Sequence, residues 1–207
     1  MPPPPPPPKQ DISVLKTPRP DITIGFHHSV LVEILKARDL SELEASDFLK
    51  ILEDEQVLCS NPTQPELGIR FPSMVVEGKS YSTGRTIFEA QNQAAVSGSC
   101  MTNLQHNLAE LTERASPGSY HSKEPLAFSI CTEGPYMELW VHYTTSVDGA
   151  RMYHMKLLKI CHASLPGTVR EFFMAVDGVM SWATSDLLDD IAKQLVLVWS
   201  AERQHAT

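Results

Sequence analysis

An α/β fold with a mixed central sheet flanked by helices is the class that the sequence predicts. Strand and helix patterns alternate through the first half of the chain, and three consecutive strand patterns then precede two helical ones. The chain has 207 residues, of which 42% are hydrophobic and 20% charged, a composition typical of a single globular domain. The sequence indicates neither an internal repeat nor a second core.

The first half of the chain contains two strand patterns, each followed by a helix. Ser41 and Glu44 form a capping box, the usual start of a helix. A continuous apolar run at 74–76 predicts a strand covered on both faces. In the longest helix the small residues Ala94 and Gly98 allow close packing against the sheet. The predicted elements are a strand over 20–26, a helix over 41–55, a strand over 71–80 and a helix over 86–114.

The second half begins with three strands and ends with two helices. Gly134 and Pro135 interrupt two strand patterns at close spacing, which predicts a hairpin. The predicted elements are strands over 126–133, 136–143 and 152–160, followed by helices over 168–182 and 185–202.

The charge balance argues against a broad surface for nucleic acid. The chain has 25 acidic and 17 basic residues, a formal net charge of −8. Proteins that bind nucleic acid mainly through its phosphates are, in contrast, usually basic. A short basic groove within an acidic body stays compatible with this balance, because the field at a site depends on local charges. The candidate residues for the basic rim of such a groove are Arg19, Arg70, Lys79 and Arg85.

The cysteines and the N-terminus favour an intracellular protein without a membrane span. Four cysteines lie far apart and form no CxxC pair, which favours reduced thiols in the cytosol or nucleus. No stretch approaches the length of a bilayer-spanning helix. Residues 2–8 are all proline, so 1–10 is expected to be an extended tail and only a weak candidate ligand for a proline-binding module. The domain is expected to occupy 11–207.

Glu77 and Lys79 are the most informative charged residues of the chain. Two positions apart on a strand, they project from the same face, in a segment that otherwise reads as buried. A surface ion pair at a strand end and a metal site both explain this pattern. Asp21, directly after Pro20 at the start of another strand, adds weight to the metal site, because two carboxylates and phosphate oxygens suit magnesium.

These residues resemble the signature of a known superfamily. Pro20-Asp21 followed by Glu77-Gly78-Lys79 is similar to the PD-(D/E)XK nuclease signature. Longer segments resemble its fungal nuclease-like branch, and the resemblance covers most of the chain from about 20 to 195. The matching segments are PDITIGF at 20–26, FPSMVVEGKS at 71–80, QNQAAVSGSC at 91–100 and FSICTEGPYMELWVHY at 128–143.

The resemblance implies a restriction-endonuclease-like core that hydrolyses phosphodiester bonds in DNA with Mg²⁺ or Mn²⁺. It implies that Asp21, Glu77 and the carbonyl of Gly78 are metal ligands, and that Lys79 positions the attacking water or stabilises the transition state. Relatives often place a glutamine on the following helix. Here Gln93 is the first choice and Gln91 the second, and a polar helix surface explains either one equally well.

The front of the chain departs from the family pattern. A helix usually precedes the Pro-Asp strand, often with an acidic residue that completes the site, and here too few residues precede Pro20 to form it. This difference supports a second hypothesis, a catalytically inactive nuclease-fold module that acts as a binding or accessory protein. A third hypothesis is a fragment that needs a lost front part to fold. DNA, a second copy of the chain and another protein all stay open as partners.

Overall fold

The structure is a computed structural model that describes residues 19–38, 40–54, 58, 68–80, 84 and 86–205. The expected tail at 1–10 and the start of the domain up to residue 18 lie outside the described residues. Each predicted element has a counterpart in the structure, and one helix is additional. In chain order the elements are β1 (Ile22–His27), α1 (His28–Lys36), α2 (Glu42–Asp54), β2 (Ile69–Lys79), α3 (Ile87–Ala115), β3 (Leu126–Glu133), β4 (Tyr136–Val147), β5 (Ala150–His162), α4 (Pro166–Trp182) and α5 (Leu188–His205).

The five strands form one mixed sheet in the order β1-β2-β3-β4-β5. β2 and β3 are parallel, whereas the other three neighbouring pairs are antiparallel. Helix α3 makes the connection between the two parallel strands, which a tight turn cannot make. The predicted α/β class with a mixed sheet flanked by helices is therefore confirmed.

Helix α1 replaces the irregular segment expected after β1. The sequence predicts no regular element between the strand over 20–26 and the helix over 41–55. Instead the chain turns into a helix at His28, and the His27 ring accepts a hydrogen bond from the Ser29 N–H at 3.3 Å. The buried residues Leu31, Val32 and Leu35 follow helical spacing and join the core. Helix α1 lies outside the predicted elements because packing of this apolar face decides the local structure.

Helix α3 lies directly against one face of the sheet, as its small residues predict. Ala94 is completely buried, and a Cβ atom at Gly98 would overlap the ring of His142 on β4. The His142 ring in turn bonds to the Ser129 hydroxyl at 2.8 Å. Because Ala94 and Gly98 have no bulky side chains, the α3 backbone can lie close to the sheet.

The last helices cover two different apolar clusters. A π-helical turn at Ala183–Leu187 joins α4 to α5, so that the segment predicted as two helices is one continuous rod. Phe172 and Val179 of α4 pack with the opposite face of the sheet, whereas Ile191 and Leu195 of α5 pack with α1, α2 and the end of α3. Of the described helices, none combines the length and the apolar character needed to cross a bilayer.

Candidate metal centre

Asp21 and Glu77 are brought together by the pairing of β1 with β2. Ile22 pairs with Val76 in antiparallel register, so Asp21, just before the strand, lies next to Glu77. The Gly78 N–H donates a hydrogen bond to Asp21 Oδ2 at 2.7 Å. Since the Asp21 side chain is otherwise exposed, this bond is the contact that fixes its carboxylate against the end of β2.

Gly78 leaves room for this arrangement. A Cβ atom at this position would lie 3.2 Å from Thr132 Oγ1 and 3.6 Å from Asp21 Oδ2. An added Cβ would therefore crowd the Thr132 hydroxyl and touch the Asp21 carboxylate at an ordinary contact distance. The glycine between Glu77 and Lys79 thus has a steric role in addition to the backbone role that the resemblance implies.

Glu77 is buried, with 2% of its surface exposed. Burial raises the pKa of Glu77 to about 7, and the negative charge of Asp21 contributes to the increase. The positive charge of Lys79 and the nearby Ser97 hydroxyl lower this pKa, but less strongly. A carboxyl group with a pKa this far above its ordinary range is typical of functional sites.

The Glu77 carboxylate lacks the hydrogen bonds that buried carboxylates usually have. No group among the described residues donates to it with normal hydrogen-bond geometry, and the neighbouring Ser97 hydroxyl is itself buried without a partner. A buried polar group normally finds a partner. The oxygen atoms of Glu77 are therefore available to a ligand that carries positive charge.

Lys79 follows Glu77 on the same face of β2 and is half-buried. It lies opposite Glu133 in the parallel pairing of β2 with β3. The Glu133 carboxylate accepts a hydrogen bond from the Ile87 N–H at 2.9 Å and so caps the start of α3. Within the described part of the chain, Lys79 forms no ion pair, which leaves its ammonium group free to contact an anion.

The two candidate glutamines have different environments. Gln93 lies exposed on α3. Gln91, the second choice, is half-buried and donates a hydrogen bond to Glu138 Oε2 at 2.7 Å. Trp140 Nε1 donates to the same oxygen at 3.0 Å. The structure therefore ties Gln91 to Glu138 on the face of the sheet that carries Glu77, whereas Gln93 is exposed one helical turn before Ser97.

Glu138 is a neighbour of the site that the sequence analysis did not single out. The strand pairings place Cys131 between Glu77 and Glu138 in one row across β2, β3 and β4. Burial raises the pKa of the Cys131 thiol to about 12, and the charges of Glu138 and Glu77 add to this. The alternation of β4 could have put Glu138 and Trp140 on one face, but only the strand order reveals which face.

The candidate residues for a basic rim do not all lie at the site. Arg70 is 6% exposed, pairs with Glu53 at 2.9 Å and donates to His28 at 3.0 Å. It lies opposite Phe26 at the far end of β2 from Glu77. Arg70 therefore does not contribute to a basic rim at the centre, because α2 supplies a partner that holds it elsewhere. Arg19 is exposed near Asp21, and Arg85 lies outside the described residues.

The donor set fits a hard divalent cation with few protein ligands. Asp21 and Glu77 would supply carboxylate oxygens, and the Gly78 carbonyl is the third ligand that the resemblance implies. Magnesium commonly keeps several waters and takes one or two carboxylates from the protein. Among the described residues there is no group of three or more His, Cys, Asp or Glu side chains placed to hold a metal. Water and substrate oxygens would therefore complete the coordination.

Comparison with known proteins yields one family match. The model of a family described as "Domain of unknown function (DUF7924)" matches residues 7–195. No curated protein matches the chain, and no solved structure matches it. The match covers most of the chain, including the three residues of the candidate centre.

Proposed function

The chain belongs to the DUF7924 family, and we propose that it is a divalent-metal-dependent nuclease that hydrolyses phosphodiester bonds in DNA. The observation that carries the proposal is the convergence of Asp21, Glu77 and Lys79 at one end of a sheet. Glu77 is buried there without a hydrogen-bond donor of normal geometry among the described residues. In this proposal the sheet and α3 correspond to a restriction-endonuclease-like core.

The residues of the centre have separate tasks in this reaction. A bound Mg²⁺ or Mn²⁺ would neutralise charge on the phosphate and make a water molecule more acidic. Asp21 and Glu77 would hold the cation, and the Gly78 N–H keeps the Asp21 carboxylate in place at 2.7 Å. Lys79 orients the attacking water or stabilises the negative charge that develops at phosphorus. Gln93 and Gln91 are the candidates for a further polar contact.

Magnesium binding and DNA cleavage test the proposal together. Titration calorimetry with MgCl₂ and MnCl₂ is expected to show binding to the parent protein and none to Glu77→Ala. Lys79→Ala is expected to keep metal binding and to lose cleavage of supercoiled plasmid by about 100-fold, since it removes charge stabilisation only. Asp177→Ala is the matched control, because Asp177 is exposed on α4, which covers the opposite face of the sheet. Cleavage by Glu77→Ala at the parent rate would contradict the proposal.

A catalytically inactive nuclease-fold module is the second candidate function. The net charge of −8 favours it, as do Glu133 and Glu138 on the face that carries Lys79 and the engagement of Arg70 by Glu53. Acidic groups near the centre repel phosphates unless cations intervene. The same experiment separates the two candidates, because a module would retain folded structure and bind metal or DNA without cutting.

A further inference from the structure

Three of the four Ser and Thr hydroxyl groups of α3 donate a hydrogen bond to the helix backbone, and the fourth does not. Side chains of Ser and Thr inside helices usually donate to a carbonyl of the preceding turn. Ser99 donates to Ala95 O at 3.0 Å, Thr102 to Gly98 O at 3.1 Å and Thr112 to Leu108 O at 2.9 Å. Ser97 is the fourth hydroxyl of this helix, and it makes no such bond.

Ser97 is also the hydroxyl of α3 that faces the metal centre. Its residue is 3% exposed, and its Oγ atom has no hydrogen-bond partner among the described residues. It lies on the helix face of Ala94 and Gly98, where α3 comes closest to the sheet. Ala94 packs with Cys131, the neighbour of Glu77 on β3. Met101 packs with Val75, which projects from the same face of β2 as Glu77. Ser97 lies between these two contacts, next to the Glu77 carboxylate.

Packing alone gives no reason for a hydroxyl at this position. An unpaired polar atom in a buried place costs free energy, and its neighbours on this face, Ala94 and Gly98, have no polar side-chain atoms. The usual backbone partner one turn earlier is present but not used. A hydroxyl held free of the helix next to a carboxylate is, however, placed to donate to that carboxylate.

We infer that Ser97 is a positioning residue of the metal centre: when a divalent cation binds, its hydroxyl donates to Glu77 and holds the carboxylate in the orientation of a ligand. The inference rests on the proposed function, since it assigns Glu77 as a ligand. A carboxylate that binds a metal is commonly oriented by a hydrogen bond to one of its own oxygen atoms. The residue that donates this bond affects metal affinity without touching the metal. Ser97 would then act through Glu77 alone.

Metal affinity of matched serine variants tests this inference. Calorimetry with MgCl₂ and MnCl₂ is done on the full chain and on Ser97→Ala, Ser97→Thr, Ser99→Ala and Glu77→Ala. Ser97→Ala is expected to weaken metal binding by about 10-fold, in the range found for partners of metal ligands. Ser97→Thr retains the hydroxyl and is expected to restore most of the affinity. Ser99→Ala is the control on the same helix and should bind as the parent does.

Thermal unfolding supplies the readout that separates positioning from structure. Ser97→Ala removes an unpaired buried hydroxyl, so its melting temperature without metal is expected to equal or exceed that of the parent. A structural role would instead lower the melting temperature and leave metal affinity unchanged.

The outcomes distinguish this inference from the proposed function. If Glu77→Ala abolishes metal binding while Ser97→Ala binds as the parent does, the inference on Ser97 is wrong and the metal centre stands. A Ser97→Thr variant that binds as weakly as Ser97→Ala would also overturn it, because the hydroxyl would then be irrelevant. If the parent binds no metal, or Glu77→Ala binds it unchanged, the ligand assignment fails and the inference fails with it.

Discussion

Two carboxylates of this protein are almost equally buried, and their surroundings differ. Asp190 on α5 is 5% exposed and Glu77 on β2 is 2% exposed. Asp190 accepts hydrogen bonds from Tyr120 Oη at 2.8 Å, from Lys123 N at 3.3 Å and from Gln194 Nε2 at 2.6 Å. Glu77 accepts none of normal geometry from the described residues. The two carboxylates are thus similarly buried but differ in the number of hydrogen-bond donors around them.

The difference separates a carboxylate that holds structure from one that is available for chemistry. The donors of Asp190 come from α5 itself and from the segment before β3, and Gln194 continues the network to Thr112 on α3. A buried charge with this many donors stabilises the packing of the elements that supply them. A buried carboxylate without donors lowers stability, and such costs concentrate at functional sites. Opposite effects of mutation are therefore expected at the two positions.

The largest effect is expected from Asp190→Ala. It leaves three donors without their acceptor, two of them the side chains of Tyr120 and Gln194, so the free energy of unfolding should fall by about 3 kcal/mol. Urea unfolding monitored by circular dichroism measures the change through the midpoint. An unchanged midpoint would show that the Asp190 network does not stabilise the fold.

Mg²⁺ is expected to stabilise the parent protein and to leave Glu77→Gln unchanged. Ligand at 100 times its Kd adds about 2.7 kcal/mol to the unfolding free energy, and the uncharged amide of glutamine is a poor metal ligand. Thermal unfolding with and without MgCl₂ at pH 8 measures this. Asp190→Ala is the comparison, because its metal-induced increase should match that of the parent, and an equal increase in Glu77→Gln would remove Glu77 from the ligand set.

Without metal, Glu77→Gln is expected to be more stable than the parent at pH 8, because the parent has to ionise a buried carboxyl group there. The raised pKa of Glu77, about 7, means that the folded state binds more protons than the unfolded state between about pH 4.5 and 7. The parent therefore loses stability as the pH rises through this window, and the variant does not. The difference should be absent below pH 4.5. A pH-independent difference would contradict the assignment of the shift to Glu77.

The smallest effect is expected from Tyr120→Phe. It removes one of the three donors to Asp190 and leaves the other two, so a loss of about 1 kcal/mol is expected. Urea unfolding at pH 8 measures it beside Asp190→Ala. A loss as large as that of Asp190→Ala would mean that the tyrosine hydroxyl carries the whole network.

Much of the fold was predictable from local patterns. The 71–80 strand and the 86–114 helix correspond to β2 and α3 within two residues, because long periodic segments bury one face in a single way. The segment of α1 was missed, since Val30 and Val32 are β-branched and His27 is an unusual N-cap. Only the contact of its apolar face with α2 and α5 makes the helix favourable.

The candidate site was predictable as far as neighbouring strands determine it. Asp21 and Glu77 meet because β1 and β2 are adjacent, a pairing that the sequence analysis had to assume. The bond between Gln91 and Glu138 joins residues of α3 and β4, and the ion pair of Arg70 with Glu53 depends on where α2 packs. Contacts of this kind follow from tertiary structure and leave no periodic signal in the sequence.

The π-helical turn at Ala183–Leu187 has a consequence for cooperativity. One residue more per turn rotates the helix by about 100°, so α4 and α5 present their apolar faces in different directions. Trp182, at the junction, packs against both clusters. Because this continuous helical segment packs into both apolar clusters, loss of packing in one cluster also removes contacts from the other. The molecule is therefore expected to unfold in a single cooperative transition, because the continuous helical segment couples the two clusters.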